Sequence, residues 1–246
     1  TLVIFIIGVL DDYKDISITL RILIQITVAI ITVTVGGVTI ESFGDLFASG
    51  EIITGNWAYI ISVLAIVTAI NALNMADGIH GLAGGNGLIT LLAIIYVSAG
   101  SISPDKMLIL IIMCSVLPVF LINNLCIFLP ENKRIFMGDG GSMFIGFIIA
   151  WFLIDLSQEM AVAQVFSPVL ALWLFAFPLI EMSSTILRRL LSRKSPFMPD
   201  LYHTHHLLVK LGFKEKTTLS IILLFSAIMA LIGVFGDKYE VPDWLM

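Results

Sequence analysis

Long apolar runs, each near the length of a membrane-crossing helix, constrain this chain more than any other feature. A helix needs about 20 apolar residues to cross about 30 Å of hydrocarbon. The runs do not alternate apolar and polar residues as the strands of a membrane barrel do. Hydrophobic residues make up 59% of the chain and charged residues only 13%, which excludes an ordinary soluble domain. The sequence therefore predicts an all-α, polytopic transmembrane helical bundle.

Polar breaks divide the chain into about eight spans, of which the first is partial. The opening run would form a helix only about 15 Å long, half of the hydrocarbon thickness. We therefore expect one integral membrane domain over residues 1–246 that is truncated at its N-terminus. The expected spans are residues 1–10, 18–36, 57–73, 84–99, 106–123, 143–155, 165–187 and 218–236.

The lysines and arginines are divided unevenly between the two faces that these spans define. Only Lys106 and Lys238 of the thirteen basic residues belong to one face, so the positive-inside rule places the other face in the cytoplasm. All four histidines and several aspartates lie on that cytoplasmic face as well. Polar groups from distant parts of the sequence are therefore expected to meet there. The breaks concerned are residues 11–17, 74–83, 124–142 and 188–217.

The first cytoplasmic break places two adjacent aspartates, Asp11 and Asp12, at the end of an apolar run. If the last turn is helical, each of them shares a helix face with Asp15, because residues three or four apart lie on the same face. The alternative interpretation is a solvated acidic turn at the membrane boundary. An aspartate in the middle of the bilayer would cost about 2.5–3.5 kcal/mol, so these residues belong at a boundary under either interpretation.

The second break ends an apolar helix in amides and an acid and restarts the chain through a run of glycines. Glycines allow a close backbone approach to a ligand, and the N-terminus of the following helix offers free N–H groups to a phosphate. A flexible turn is the alternative, but a turn would not require polar side chains at the boundary. The candidate site residues are Asn71, Asn74, Asp77 and His80.

The third break surrounds Asp139 with three glycines, Gly138, Gly140 and Gly141. Such a carboxylate suits a hard cation with oxygen ligands that bridges a phosphate. Ser142 is expected to be the N-cap of the span that begins at Met143. A Gly-Asp-Gly turn also occurs without any function, so this motif taken alone leaves both interpretations open.

The fourth break is the only one long enough to reach over the others, and it combines basic residues with three histidines. The spacing has no thiolate partner or HExxH pattern, so it does not indicate zinc. A set of groups that donates hydrogen bonds to phosphates is the better interpretation, and a basic membrane anchor is the alternative for the cationic part. The candidates are Arg193, Lys194, Asp200, His203, His205 and His206.

Glu181 lies three residues after Pro178, toward the cytoplasmic end of the seventh span. An ionisable group inside a membrane helix is a functional candidate by default. The alternative is that its side chain only reaches to the interface.

Together, these motifs resemble those of the polyprenyl-phosphate N-acetylhexosamine-1-phosphate transferase family in their order and spacing, over almost the whole chain. Members of that family have further spans before and after the present residues, which implies truncation at both ends. The His-x-His-His form is similar to the subgroup that starts surface polysaccharides, such as O-antigen. The motifs are Leu10-Asp11-Asp12, Asn71-Ala-Leu-Asn74-Met-Ala-Asp77-Gly78, Phe136-Met-Gly138-Asp139-Gly-Gly-Ser142, and Ser195-Pro-Phe-Met-Pro-Asp200 followed by His203-Thr-His205-His206.

The resemblance implies a multi-pass enzyme of the bacterial inner membrane with cytoplasmic catalytic loops. Its reaction would transfer N-acetylglucosamine 1-phosphate from UDP-N-acetylglucosamine (UDP-GlcNAc) to undecaprenyl phosphate and release UMP. Membrane lipid would surround it, no nucleic acid is expected as a partner, and a homodimer is left open. Several carboxylates beside two phosphate groups would repel without a cation, so Mg²⁺ is expected, with Mn²⁺ as an alternative.

The resemblance also implies roles for the candidate residues. The expected metal ligands are Asp139 and Asp77. Asp11, Asp12 and Asp77 would be catalytic, and for Asp11 and Asp12 a role as a base and a role in positioning are both open. The substrate-binding residues would be Asn71, Asn74, His80, Arg193, Lys194, Asp200, His203, His205 and His206.

Two positions depart from the family pattern. His80 stands where the family has a second aspartate, and Leu201 stands where it has an arginine. His80 adds no negative charge, so a change in metal affinity is expected, whereas Leu201 bears on donor affinity. The alternatives to the expected reaction are a different UDP-N-acetylhexosamine donor, an inactive fragment and an anion transporter.

Overall fold

The computed structural model describes residues 1–128, 130–158, 164–193, 195 and 202–246. Within these residues the regular structure is helical, apart from an isolated antiparallel bridge between Ser42 and Ile53. The predicted all-α fold is confirmed. The α-helices of the described ranges are α1 (Leu2–Lys14), α2 (Ile18–Thr34), α3 (Ala58–Ala76), α4 (Leu82–Ser98), α5 (Pro104–Asn124), α6 (Gly138–Ser157), α7 (Pro168–Leu174), α8 (Ala176–Leu191), α9 (Thr204–Lys210) and α10 (Glu215–Lys238).

Four segments of the described chain are long and apolar enough to cross a membrane: Gly55–Ala76, which contains α3, and the helices α5, α6 and α10. The pair α7 and α8 adds a fifth if it is counted as one span. Helices α2 and α4 are apolar but shorter, with 17 residues each, and α1 has 13. Each of the eight predicted runs coincides with a helix or, for the seventh run, with two. The chain is therefore a polytopic membrane protein.

The seventh predicted run is not a continuous helix, because α7 and α8 meet at an angle of 82°. Pro178 lies one turn into α8, where its ring has no N–H to donate and would clash with the carbonyl oxygen of Leu174 in a straight helix. That carbonyl accepts a hydrogen bond of 2.9 Å from the Thr90 hydroxyl of α4 instead. The neighbouring helix therefore satisfies the backbone group that the break exposes.

Helix α6 forms the centre of the bundle and packs against α1 and α3. Of its apolar window, 72% is buried inside the protein, compared with 17% for α5. The backbones of α1 and α6 touch where Gly8 faces Gly140, and a Cβ atom at either glycine would overlap the other helix. This close approach brings the C-terminal end of α1 to the first turn of α6.

Candidate functional site

Four aspartates from three helices form a group that we call the aspartate cluster: Asp11, Asp12, Asp77 and Asp139. Asp11 and Asp12 lie in the last turn of α1, Asp77 caps the C-terminus of α3, and Asp139 lies in the first turn of α6. The close packing of α6 on both α1 and α3 brings these chain ends together. The predicted convergence of distant breaks is therefore present for these residues.

Arg21 joins two members of the aspartate cluster. Its Nη1 atom lies 2.6 Å from Oδ2 of Asp11 and 3.0 Å from Oδ2 of Asp139. The other oxygen of Asp11 accepts a hydrogen bond of 2.9 Å from the backbone N–H of Ile16. Both oxygens of the buried Asp11 carboxylate are thus engaged. Sequence reasoning missed Arg21 as a site residue, because it counted only as one more cation near the cytoplasmic boundary.

Asp12 caps the N-terminus of α6 from the end of α1. Its Oδ1 accepts a hydrogen bond of 2.8 Å from the backbone N–H of Asp139, and its Oδ2 accepts one of 3.3 Å from that of Gly140. The prediction that Ser142 is the N-cap was wrong, because α6 begins at Gly138 rather than at Met143 and the Ser142 hydroxyl donates to the carbonyl oxygen of Gly138. A negative charge at the N-terminus of a helix also interacts favourably with the helix dipole.

The two predicted asparagines of α3 have different surroundings. The amide of Asn74 donates to Oδ1 of Asp139 at 2.8 Å and contacts the Ser142 hydroxyl at 3.0 Å. Asn71 lies one turn deeper in the bundle, where its amide donates to Oε1 of Gln25 at 2.6 Å. Asn74 therefore contacts the aspartate cluster directly. The substrate-binding role of Asn71 stays a prediction.

The charged form of the Asp77 carboxylate is disfavoured by its surroundings. Burial, together with the nearby carboxylates of Asp139 and Asp12, raises its pKa to about 6. Within the described residues, no three acidic, histidine or cysteine side chains are already arranged as a metal site. Mg²⁺, however, is commonly held by one or two carboxylates together with substrate phosphates and water. The oxygen donors of Asp77 and Asp139 fit that requirement.

The raised pKa of Asp77 predicts a pH-dependent stability in EDTA. The folded-state pKa of about 6 exceeds the unfolded value of 3.8, so stability is full below 3.8 and is lost as the pH rises through 6. We expect the thermal unfolding temperature in detergent to fall by several degrees between pH 5 and pH 7. The charged Asp77 carboxylate lowers the free energy of unfolding by at most about 3 kcal/mol. Each kcal/mol lowers the unfolding temperature by about 2–4 °C.

The variant Asp77→Asn should flatten this part of the pH profile and unfold at a higher temperature than the wild type at pH 7. Added Mg²⁺ should stabilise the wild type at pH 7 more than it stabilises the variant, because the cation offsets the charge of the Asp77 carboxylate. Equal pH profiles for the two proteins would show that Asp77 does not carry this cost.

The three clustered histidines lie at the start of α9, with their ring centroids 4.1–5.8 Å apart. His205 is buried, and its ring packs directly against the backbone of Gly78, next to Asp77. Burial lowers the pKa of His205 to about 4, and His206 and His203 contribute to this shift. His205 is therefore neutral at pH 7 and offers one ring N–H and one ring acceptor.

The remaining residues predicted in the fourth break are described only in part. Arg193 is exposed, just beyond the end of α8, and has a positive φ of 55°. The predictions for Lys194 and Asp200, and the departure at Leu201, lie outside the described residues.

A cavity of about 370 Å³ opens beside Asp77 and contains His80 in its wall. The ring centroids of His80 and Phe136 are 5.2 Å apart, and the backbone N–H of His80 donates to Glu215 at 3.3 Å. The side-chain oxygen of Asn124, which also lines the cavity, is buried without a hydrogen-bond partner. The cavity therefore offers an aromatic surface, a buried acceptor and direct access to the aspartate cluster.

Comparison with known proteins identifies the family to which this chain is similar. The profile of glycosyl transferase family 4 matches residues 1–157, which include the whole aspartate cluster. An undecaprenyl-phosphate alpha-N-acetylglucosaminyl 1-phosphate transferase of Yersinia pestis is 36% identical over 243 residues, which are 98% of this chain and 65% of that protein. The protein of the same name from Escherichia coli (strain K12) is 37% identical over 246 residues, again 98% of this chain and 65% of that protein.

A third relative of the same name, from Haemophilus influenzae, is 38% identical over 242 residues, which are 98% of this chain and 67% of that protein. The chain thus spans about two thirds of the length of these relatives. The similarity includes the segment that carries the three histidines, since it extends over nearly all of the present sequence.

Proposed function

Because the chain belongs to glycosyl transferase family 4, we propose that it transfers N-acetylglucosamine 1-phosphate from UDP-GlcNAc to undecaprenyl phosphate. The products are undecaprenyl-diphosphate-N-acetylglucosamine and UMP. The relatives from Yersinia pestis and Haemophilus influenzae carry a name that states this activity. The reaction would be the first membrane step of a surface polysaccharide such as O-antigen.

The observation that carries this proposal is the contact between α9, which we call the histidine helix, and the aspartate cluster. The ring of His205 lies on Gly78, directly beside the carboxylate-bearing Asp77. A phosphoryl transfer between two anionic substrates depends on positioning and on stabilisation of negative charge. Neutral N–H donors on one side and cation-binding carboxylates on the other supply these two needs at one place.

Mg²⁺ is part of the proposal, with Mn²⁺ as an alternative. Asp139 and Asp77 would hold the cation, which supplies positive charge to the phosphate oxygens during transfer. Asn74 and Arg21 fix the orientation of the Asp139 carboxylate through the contacts described above. These two residues therefore hold a ligand in place before the substrates arrive.

Asp11 and Asp12 are assigned to positioning rather than to removal of a proton. The carboxylate of Asp11 is engaged by Arg21 and by a backbone N–H, and that of Asp12 by two backbone N–H groups of α6. A phosphate monoester has its second pKa near 6, so the acceptor phosphate is mostly deprotonated at pH 7 without a base. The two residues instead hold the end of α1 against α2 and α6 at the cluster.

The cavity beside Asp77 is proposed to take the uridine part of the donor. Its volume of about 370 Å³ lies at the lower end of the range for small-molecule sites. The Phe136 ring can stack on a planar base, and the unpartnered oxygen of Asn124 can accept a hydrogen bond from a base N–H. The diphosphate would then extend toward Asp77 and the histidine helix.

The proposed setting is the bacterial inner membrane with the aspartate cluster on the cytoplasmic side. The support is the distribution of basic residues, all but two of which belong to the face that carries Asp77 and Asp139. In this setting the cluster faces the cytoplasm, which would supply UDP-GlcNAc.

The deciding experiment measures release of UMP by the purified protein supplied with UDP-GlcNAc, undecaprenyl phosphate and Mg²⁺. We expect UMP to form only when the lipid phosphate is present, and more slowly with other UDP-N-acetylhexosamines. The variant Asp77→Asn serves as a folded control with a disabled cluster. Uptake of the donor into vesicles without UMP formation would support an anion transporter, and no activity of either kind would contradict the proposal for this chain.

A further inference from the structure

Glu181 is a buried acid that the proposed reaction does not use. It lies in α8, nearly two turns after the break between α7 and α8, and is only 4% exposed. Its side chain therefore does not reach out to the interface, which was the alternative interpretation of the sequence. A buried carboxylate is costly unless it is hydrogen-bonded, so its partners indicate why it is there.

Within the described residues, the side-chain oxygens of Glu181 contact His203, the N-cap residue of α9, and Thr204, the first residue of that helix. Oε1 lies 3.1 Å from Nδ1 of His203 and accepts a hydrogen bond of 2.9 Å from the backbone N–H of Thr204. Oε2 accepts a hydrogen bond from the Thr204 hydroxyl. A single carboxylate thus holds two side chains and one backbone group at the start of the histidine helix, although 22 residues separate it from His203.

This attachment determines where the next histidine lies. His205 follows Thr204 directly, and its ring fills the space over Gly78 so closely that a Cβ atom at Gly78 would overlap it. His205 is 4% exposed, and its Nε2 atom has no hydrogen-bond partner. An unpartnered ring nitrogen that is held against the loop of Asp77 is a group kept available for a ligand.

We propose that Glu181 is a positioning residue that fixes α9 over Asp77 and Gly78 and sets the ring orientation of His203 for binding of the sugar-nucleotide donor. The carboxylate faces Nδ1 of His203 at 3.1 Å, so it favours a proton on that nitrogen and fixes the plane of the ring. A carboxylate that orients a histidine in this way is a common device around functional imidazoles. The assignment rests on the proposed transferase function for its kinetic consequence but not for its structural one.

The kinetic test compares Glu181→Ala and Glu181→Asp with the wild type. We expect Glu181→Ala to lower kcat/KM for UDP-GlcNAc by about 10–100-fold, the range for losing a carboxylate that orients a functional histidine. The KM for undecaprenyl phosphate should stay unchanged, because the proposal assigns α9 to the donor. Glu181→Asp keeps the charge and should recover part of the loss.

A matched control is Thr185→Val, which changes a fully buried side chain one turn further along α8 whose hydroxyl has no hydrogen-bond partner. This variant should behave like the wild type. If Thr185→Val loses as much donor efficiency as Glu181→Ala, or if both substrates are affected equally, Glu181 only stabilises the fold and the proposal is wrong.

A second readout does not depend on activity. Diethyl pyrocarbonate modifies accessible neutral imidazoles, and peptide mass spectrometry locates the modified histidine. His205 should react slowly in the wild type and in Thr185→Val but at least about tenfold faster in Glu181→Ala, because the hydrogen bonds that hold α9 in place are lost. If wild-type protein releases no UMP, the transferase proposal fails while this test still stands. If His205 stays protected in Glu181→Ala, the positioning role is overturned.

Discussion

Asp139→Asn is expected to lower the rate of UMP release at least about a hundredfold and to raise the Mg²⁺ concentration needed for half of the maximal rate. A cation that stabilises charge on a transferring phosphate contributes several kcal/mol, and each 1.36 kcal/mol corresponds to a factor of ten. Asparagine is nearly the same size as aspartate but lacks the negative charge that attracts the cation. A Mg²⁺ titration of the initial rate measures both effects.

The control for this variant is Asp155→Asn, the same change near the other end of α6. Asp155 pairs with Lys106 at 2.5 Å and lies 16 residues from Asp139, or about 24 Å along the helix. It should leave the Mg²⁺ titration unchanged. A titration of Asp139→Asn that overlays that of the wild type would remove Asp139 from the proposed ligand set, whatever happens to the maximal rate.

Arg21→Gln is expected to lower both stability and activity. The substitution leaves the buried Asp11 carboxylate without its cation, which typically costs about 3–5 kcal/mol. Because the Arg21 side chain is 20% exposed, we expect the lower end of that range, or about 6–12 °C in the unfolding temperature. Thermal unfolding in detergent and UMP release together test the expectation.

Arg21→Lys should recover most of the loss. One nitrogen, Nη1, makes both contacts, with Asp11 and with Asp139, so a lysine ammonium with three donors can replace it. The matched control is Lys14→Gln, which removes an exposed cation at the C-terminal end of α1. If Arg21→Lys behaves like Arg21→Gln, the planar guanidinium itself is required and the single-nitrogen bridge is an incomplete account.

The sequence was sufficient to predict the helical membrane fold and the position of Asp11, Asp77 and Asp139 near the ends of the spans. Apolar runs of nearly fixed length define spans, and polar groups cannot lie between them in hydrocarbon without a large cost. The order and spacing of the motifs also indicated the family, and the match to glycosyl transferase family 4 together with its named relatives confirmed it. These inferences depend on local composition, which a sequence displays directly.

Contacts between helices were beyond the reach of the sequence. Arg21 lies at the start of α2, and only the packing of α1, α2 and α6 shows that it bridges two aspartates. Ser142 has the composition of a helix cap, but Asp12 from another helix takes that role and α6 starts earlier. The attachment of Glu181 to His203 likewise spans 22 residues and has no local signature. Each depends on tertiary geometry that periodicity does not encode.

The break between α7 and α8 has an evolutionary consequence. Pro178 displaces the backbone at Leu174, and the Thr90 hydroxyl of α4 donates a hydrogen bond to the carbonyl oxygen that is freed. Replacing Thr90 while Pro178 is kept would leave the carbonyl oxygen of Leu174 without a hydrogen-bond donor in hydrocarbon, which is costly. The two positions, 88 residues apart in the sequence, are therefore expected to vary together among descendants of this chain, with threonine free to change only where proline has been lost.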